Sequence, residues 1–204
     1  MTNTDVVVVD YEAGNLKSVE TALRELGVSY IISSEPETVL SAPRVIFPGV
    51  GEAGAAMNVL NKTGLDEALK SFFSSGKPFL GICIGCQLVL EHSEESDTDT
   101  LGIVPGRVVA FDSKMGLKVP HMGWNTVSRI AEHKIWDGIP SGSSFYFVHS
   151  FYPVPDVSVD ALGKTDYGVS FTSAFCKDNL IAVQFHPEKS GPYGLKLLSN
   201  FFSL

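Results

Sequence analysis

Positive charge is scarce in this chain of 204 residues. Its 15 Lys and Arg face 23 Asp and Glu, a formal net charge of −8. With no basic field, nucleic acid and anionic membrane surfaces are excluded as expected partners. Cysteine is also scarce: there are 3, an odd count, which argues against a disulfide framework and for a reducing compartment. No apolar run approaches the ~18 residues of a transmembrane helix. Residues 1–5, Met-Thr-Asn-Thr-Asp, lack the basic opening of a secretory signal. Repeats, low-complexity tracts and linkers are missing as well. A soluble, cytoplasmic protein is expected, with residues 1–204 as one domain large enough for a substantial core.

What is present alternates. Val6 to Val9 is a β-branched run of the kind buried in parallel sheets. Asn15 suits a helix N-cap, and Leu16, Val19, Leu23 and Leu26 keep helical spacing up to Gly27. Further strands are expected over 28–32, 45–47 and 78–82, separated by helices near 36–40, 55–60 and 65–73. This order implies parallel βαβ units. The acidic, Ser-rich stretch 91–99 reads as a solvated loop. From Leu101 on, short β runs dominate (103–111, 124–130, 145–151, 158–162, 169–175 and 180–185), with a helical turn at Ile135 and Trp136 and a closing helix over 191–202. The fold class is α/β, a three-layer sandwich whose sheet turns mixed in a β-rich second half.

The strand ending at Ile82 runs into Gly81-Ile-Cys-Ile-Gly85 and then a helix start at Gln87 and Leu88. Small residues two before and two after Cys83 permit the sharp strand-to-helix turn of a nucleophile elbow. There the side chain stands clear of the backbone, at a helix N-terminus that favours a thiolate. A buried structural cysteine is the bland reading. Cys83-Ile-Gly-Cys86 is also a C-x-x-C, the spacing of a thiol oxidoreductase. That reading needs Cys86 as resolving thiol and no distant base, whereas a nucleophilic cysteine needs a histidine oriented by a third group.

Such a histidine stands in Phe185-His-Pro-Glu188. Pro187 ends the strand and forces an extended His186. Glu188, two residues on, can accept from one ring nitrogen and fix the tautomer. His121 and His149 lack a carboxylate close in sequence, His92 and His133 read as surface residues, and no cluster has zinc-ligand spacing. Gly49-Val-Gly-Glu-Ala-Gly54 matches G-x-G-x-x-G, but it follows the third strand and lacks the later acidic partner of a dinucleotide site. Its alternative use is N–H donation to an oxyanion, together with the N–H of Ile84.

Taken together, Gly81-Ile-Cys-Ile-Gly-Cys-Gln87 and Phe185-His-Pro-Glu188 resemble the class I (triad) glutamine amidotransferases, whose fold is flavodoxin-like. More narrowly, Asp10-Tyr-Glu-Ala-Gly-Asn-Leu16, Pro48-Gly-Val-Gly51, Pro120-His-Met-Gly-Trp-Asn125, Tyr146-Phe-Val-His-Ser150 and His186-Pro-Glu-Lys-Ser190 are similar to the glutaminase subunits of imidazole glycerol phosphate synthase. The resemblance implies that Cys83 attacks glutamine, His186 carries the proton and Glu188 orients it. It implies oxyanion and substrate contacts from Gly49, Val50, Gly51, Ile84, Gln87, His149, Ser150 and Phe151. It implies no cofactor, and a (βα)8-barrel synthase partner in a heterodimer of histidine biosynthesis, a lyase activity, met near Asn15, Trp124, Tyr146 and Lys189. Cys86 stands where Met is common and Phe151 where Tyr is common, which puts a hydroxyl contact to substrate there in doubt. The alternatives are the glutaminase subunit of another triad amidotransferase and the C-x-x-C oxidoreductase.

Overall fold

A computed structural model describes residues 4–204 apart from 13, 15 and 158. The first half is built from β1 (Val6–Val9), α1 (Lys17–Glu25), β2 (Tyr30–Ser33), α2 (Pro36–Ser41), β3 (Val45–Phe47), α3 (Ala53–Thr63), α4 (Leu65–Ser74), β4 (Phe79–Ile82) and the short α5 (Ile84–Leu88). Two-residue strands β5 (His92–Ser93) and β6 (Thr98–Asp99) follow. Then come β7 (Gly106–Ala110), β8 (His121–Arg129), β9 (Ser143–His149), β10 (Phe151–Pro155), β11 (Asp160–Tyr167), β12 (Val169–Lys177), β13 (Leu180–Val183) and α6 (Gly191–Phe201). The expected N-cap Asn15 lies outside the described residues. A 3-10 turn at Lys134–Trp136 sits where the sequence predicts one.

Nine strands form one sheet in the order β2-β1-β3-β4-β13-β12-β11-β8-β9. The five from β2 to β13 are parallel and the rest antiparallel, so the expected change of character in the second half is present. Alternation along the strands feeds two cores. Val7, Val9, Val45 and Phe79 pack with Val39, Leu60 and Leu69 of α2–α4, whereas Val6, Val8, Ile46 and Leu80 pack with Leu23 of α1 and Leu197 of α6. Every one of these strand residues is buried, as parallel strands covered on both faces require.

The expected single strand over 145–151 is in fact two. β9 ends at His149, and after Ser150 the chain enters a second sheet, β10-β7-β5-β6. The break places the main chain of residues 149–151 between the sheets, above the end of β4. The expectation of a solvated 91–99 stretch needs a correction too. It contributes β5 and β6 to the small sheet, and Glu95 lies half-buried with Oε2 accepting from the N–H of Ala53 at 2.8 Å.

Candidate active site

β4 is central in the large sheet, with β3 on one side and β13 on the other. In an open parallel sheet the crevice beyond the carboxyl ends of such strands is where ligands bind. Cys83 is the first residue past β4, at φ 55° and ψ −108°, a strained conformation for a non-glycine residue and the signature of an elbow. The flanking glycines are required by close approach: a Cβ on Gly85 would lie 1.8 Å from the Phe47 carbonyl oxygen, and one on Gly81 3.0 Å from that of Gly85. The N–H of Ile84 opens α5, and no acceptor among the described residues engages it.

β13 runs beside β4 with Val183 opposite Ile82. That register sets Gln184 level with Cys83 and carries His186 just beyond it. The His186 N–H donates to the Tyr146 carbonyl of β9 at 2.9 Å, which anchors the loop. Its Nδ1 lies 2.7 Å from Oε1 of Glu188, and both side chains are buried. Nε2 has no well-angled partner, and Cys83 acts on it by charge and by a poorly directed hydrogen bond. Burial disfavours charge on this ring, but Cys83 and Glu188 outweigh it and raise the pKa to about 10. His186 is therefore an imidazolium at neutral pH, facing the sulfur with its proton held in place by a carboxylate.

Cys83 opens into a cavity of about 280 Å³. Val50, Gly51, Ile84 and Gln87 line it from below, and His149, Ser150 and Phe151 from the strand break. Gly49 is not in the wall. It lies under the loop, where a Cβ would fall 1.9 Å from the Tyr11 hydroxyl. Phe151 contributes through its main chain: its carbonyl accepts from Gln87 Nε2 at 2.9 Å and its ring packs on the core. Two site residues escape the sequence reading. Glu95 reaches the wall from the acidic stretch, where nothing in the local pattern marks it among its four acidic neighbours Glu91, Glu94, Asp97 and Asp99. Gln184 sits in the alternation of β13 with no local signal; its Oε1 accepts from Gln87 at 2.9 Å and its Nε2 points at Cys83 Sγ, 3.9 Å away.

The competing readings do not survive this geometry. Cys86 is wholly buried in the apolar core, and burial, with the charge of Cys83 adding to it, pushes its thiol well above the usual range. It is no accessible resolving thiol. The G-x-G-x-x-G helix has no room for phosphate. Glu52 accepts from the N–H groups of Gly54 and Ala55, and Glu95 from that of Ala53, so carboxylates already fill the first turn of α3. His121 and His149 bond to each other at 3.0 Å rather than to an acid. Of the positions expected at an interface, Trp124 is 60% exposed with Tyr146 opposite it on β9, Lys189 lies beside His186 near Val50, and Asn15 is outside the described residues. Among the described residues no His/Cys/Asp/Glu cluster could hold a metal, and no helix is long and apolar enough to cross a membrane.

Residues 7–204 match the family model of class-I glutamine amidotransferases. The chain is 49% identical over 203 residues to the imidazole glycerol phosphate synthase subunit HisH of Desulfovibrio desulfuricans, covering 97% of this chain and 93% of that one. It is 48% identical over 209 residues to the HisH subunit of Aromatoleum aromaticum, covering 98% of each. Among solved structures, PurLQS from Thermotoga maritima matches with a TM-score of 0.72 at 16% identity, over 97% of each chain. A glutamine amidotransferase from the same organism matches at 0.68 and 16%, over 98% of this chain and 83% of that one. These two bear on the fold alone. The chain belongs to the class-I glutamine amidotransferases, and within them to the HisH subunits of imidazole glycerol phosphate synthase.

Proposed function

We propose that this site hydrolyses the side-chain amide of glutamine to glutamate and ammonia, with Cys83 as nucleophile, His186 as proton carrier and Glu188 as its orienting group. The observation that carries the reading is the Cys83–His186–Glu188 line at the end of two adjacent parallel strands, opening on a cavity of small-molecule size. Sγ adds to the amide carbon, and the carbonyl electron pair moves to oxygen, where the Ile84 N–H and an N–H of the 48–51 loop stabilise it. Each such donor is worth ~10²–10³ in rate. Collapse expels ammonia, protonated by His186, and leaves a glutamyl thioester. His186 then takes a proton from water, the hydroxide adds to the thioester carbon and expels the Cys83 thiolate, and glutamate leaves with the thiolate–imidazolium pair restored. Glu95 offers a carboxylate to the α-ammonium of the substrate, and the 149–151 main chain offers polar groups to its other end.

Ammonia made here serves a synthase reaction in histidine biosynthesis. We assign its acceptor to a (βα)8-barrel synthase subunit, which docks on the face of Trp124, Tyr146 and Lys189 in a cytoplasmic heterodimer. The first test is labelling with a glutamine-derived diazoketone, followed by glutamate release from variants. Label on Cys83, loss of activity in Cys83→Ala and retention of most of it in Cys86→Ala are the expected results. Equal loss from both cysteines would return the redox reading.

A further inference from the structure

Phe151's carbonyl oxygen fixes the direction of a hydrogen-bond network that extends well past the cavity. Unlike an amide or imidazole, a main-chain carbonyl can only accept. Two side chains approach it: Gln87 Nε2 at 2.9 Å and His149 Nδ1 at 2.8 Å. Both must donate. Nδ1 of His149 therefore carries a proton, and its Nε2, in the neutral ring, accepts. The partner of that Nε2 is Nδ1 of His121, 3.0 Å away and directly opposite on the neighbouring strand. His121 must then be protonated at Nδ1 and accept at Nε2, where Asn125 Nδ2 lies at 3.2 Å. The far end confirms this direction independently. Asn125 Nδ2 donates to the Asp166 carbonyl at 3.0 Å while its Oδ1 accepts from the Thr126 N–H at 2.8 Å, so its nitrogen faces His121. Two main-chain carbonyls at opposite ends dictate the same protonation for both rings. Burial, which lowers both imidazole pKa values, keeps them neutral.

We propose that His121, which does not line the cavity, is a positioning residue for the glutaminase reaction: through His149 and the Phe151 carbonyl it fixes the atom that Gln87 turns toward the substrate. Gln87 spends both N–H bonds of its amide, one on Phe151 and one on Gln184 Oε1 at 2.9 Å. Only Oε1 is left for the cavity, so Gln87 meets glutamine as an acceptor for a substrate N–H. Phe151's carbonyl is the shared post. Without a donor at His121, His149 Nε2 loses its partner, the ring is free to change tautomer, and its bond to that carbonyl goes with it. The His121 ring is held for this purpose, stacked between Phe147 (4.9 Å) and Tyr167 (4.0 Å). The inference rests on the glutaminase reading above.

The primary test needs no turnover. In ¹⁵N-labelled full-length protein at neutral pH, long-range ¹H–¹⁵N spectra distinguish a protonated ring nitrogen from a bare one. Both His121 and His149 are expected as neutral Nδ1–H tautomers, although imidazole in water prefers Nε2–H. An Nε2–H tautomer or an imidazolium at either position overturns the network. The second test is steady-state glutamine hydrolysis in the presence of the barrel subunit. His121→Phe keeps a stacking ring but removes the donor, and its KM should rise roughly three- to tenfold, the worth of one neutral hydrogen bond, with kcat little changed. His121→Asn restores an N–H at the place of Nδ1 and should recover most of that loss. A purely structural role would lower the folded fraction and not KM, so an unchanged KM in a folded His121→Phe protein overturns the proposal. A wild-type protein without glutaminase activity would refute the functional reading instead, leaving the tautomers to judge the network.

Discussion

Two kinds of histidine meet at this site. His186 is held as an imidazolium between Cys83 and Glu188, while His121 and His149 are held neutral by burial, to about 4 and about 3 respectively. The difference is one of partners: a carboxylate and a nucleophilic sulfur against a carbonyl and an amide. It has opposite consequences under mutation and under acid. Replacing His186 with Ala removes the proton carrier and should cost ~10²–10⁴ in kcat. Glu188→Gln keeps a group that can still hold the ring, so its loss should be milder; an equal loss would mean that the carboxylate does more than orient. For the neutral pair the sign runs the other way from an ion pair. Their folded pKa values lie below the unfolded value near 6.5, so the unfolded chain binds the extra protons. Their contribution to stability is whole above pH 6.5 and falls as pH drops toward 4 and then 3. Each ring contributes at most about 1.4 kcal/mol per pH unit in that window. Thermal unfolding followed from pH 7 to 4 should therefore be less steep in pH for His121→Phe than for the wild type.

At the scale of elements, the elbow joining β4 to α5 is where the chain tolerates least. Its backbone passes so close to β3 that Gly85→Ala drives a Cβ into the Phe47 carbonyl, a backbone atom that cannot step aside. The expected cost lies at the top of the overpacking range, ~3 kcal/mol, with loss of activity exceeding loss of fold as Cys83 is displaced. Circular dichroism and glutamate release measured on one preparation separate the two; full activity in a folded Gly85→Ala protein would contradict this account of the elbow. This turn was legible in the sequence because its constraints are local: an apolar run, a Gly two residues either side of Cys83, and a Pro after His186. What escaped depended on strand register and on which sheet a segment joins. Gln184 reads as one more residue in an alternating strand until β13 is set beside β4. His121 and His149 look like two isolated histidines until β8 and β9 pair them. The run over 145–151 carries no mark of the change of sheet at Ser150, and Glu95 is one of several acids until the small sheet folds it back onto α3.

For the whole molecule, the large sheet joins the two ends of the chain: β4 from the first half is hydrogen-bonded along its length to β13. We take residues 1–204 as one folding unit on that ground, and expect a single unfolding transition by fluorescence and circular dichroism; two separated transitions would divide it. The same connectivity suggests how a partner would control the chemistry. Val50 is 41% exposed at the rim of the cavity, and Gly51 after it sits at φ 113°, where glycine is at ease and other residues are not. The Val50–Gly51 peptide can thus take two orientations at modest cost, of which only one aims an N–H at the developing oxyanion. Val50 is in reach of the surface expected to meet the synthase. Gly14 has so little clearance from it that a Cβ there would lie 2.4 Å from Val50 Cγ2, and Lys189 borders the same small hollow as Val50. Ligand bound to the barrel would favour the productive orientation by gripping this surface, and a resting enzyme with one donor turned away would be slower by ~10²–10³, enough to spare glutamine when no acceptor waits. Glutamate release should accordingly rise in steps from the isolated chain, to the complex, to the complex with the barrel's nucleotide ligand. Full activity in the isolated chain would refute the switch and leave Cys83, His186 and Glu188 as an unregulated triad.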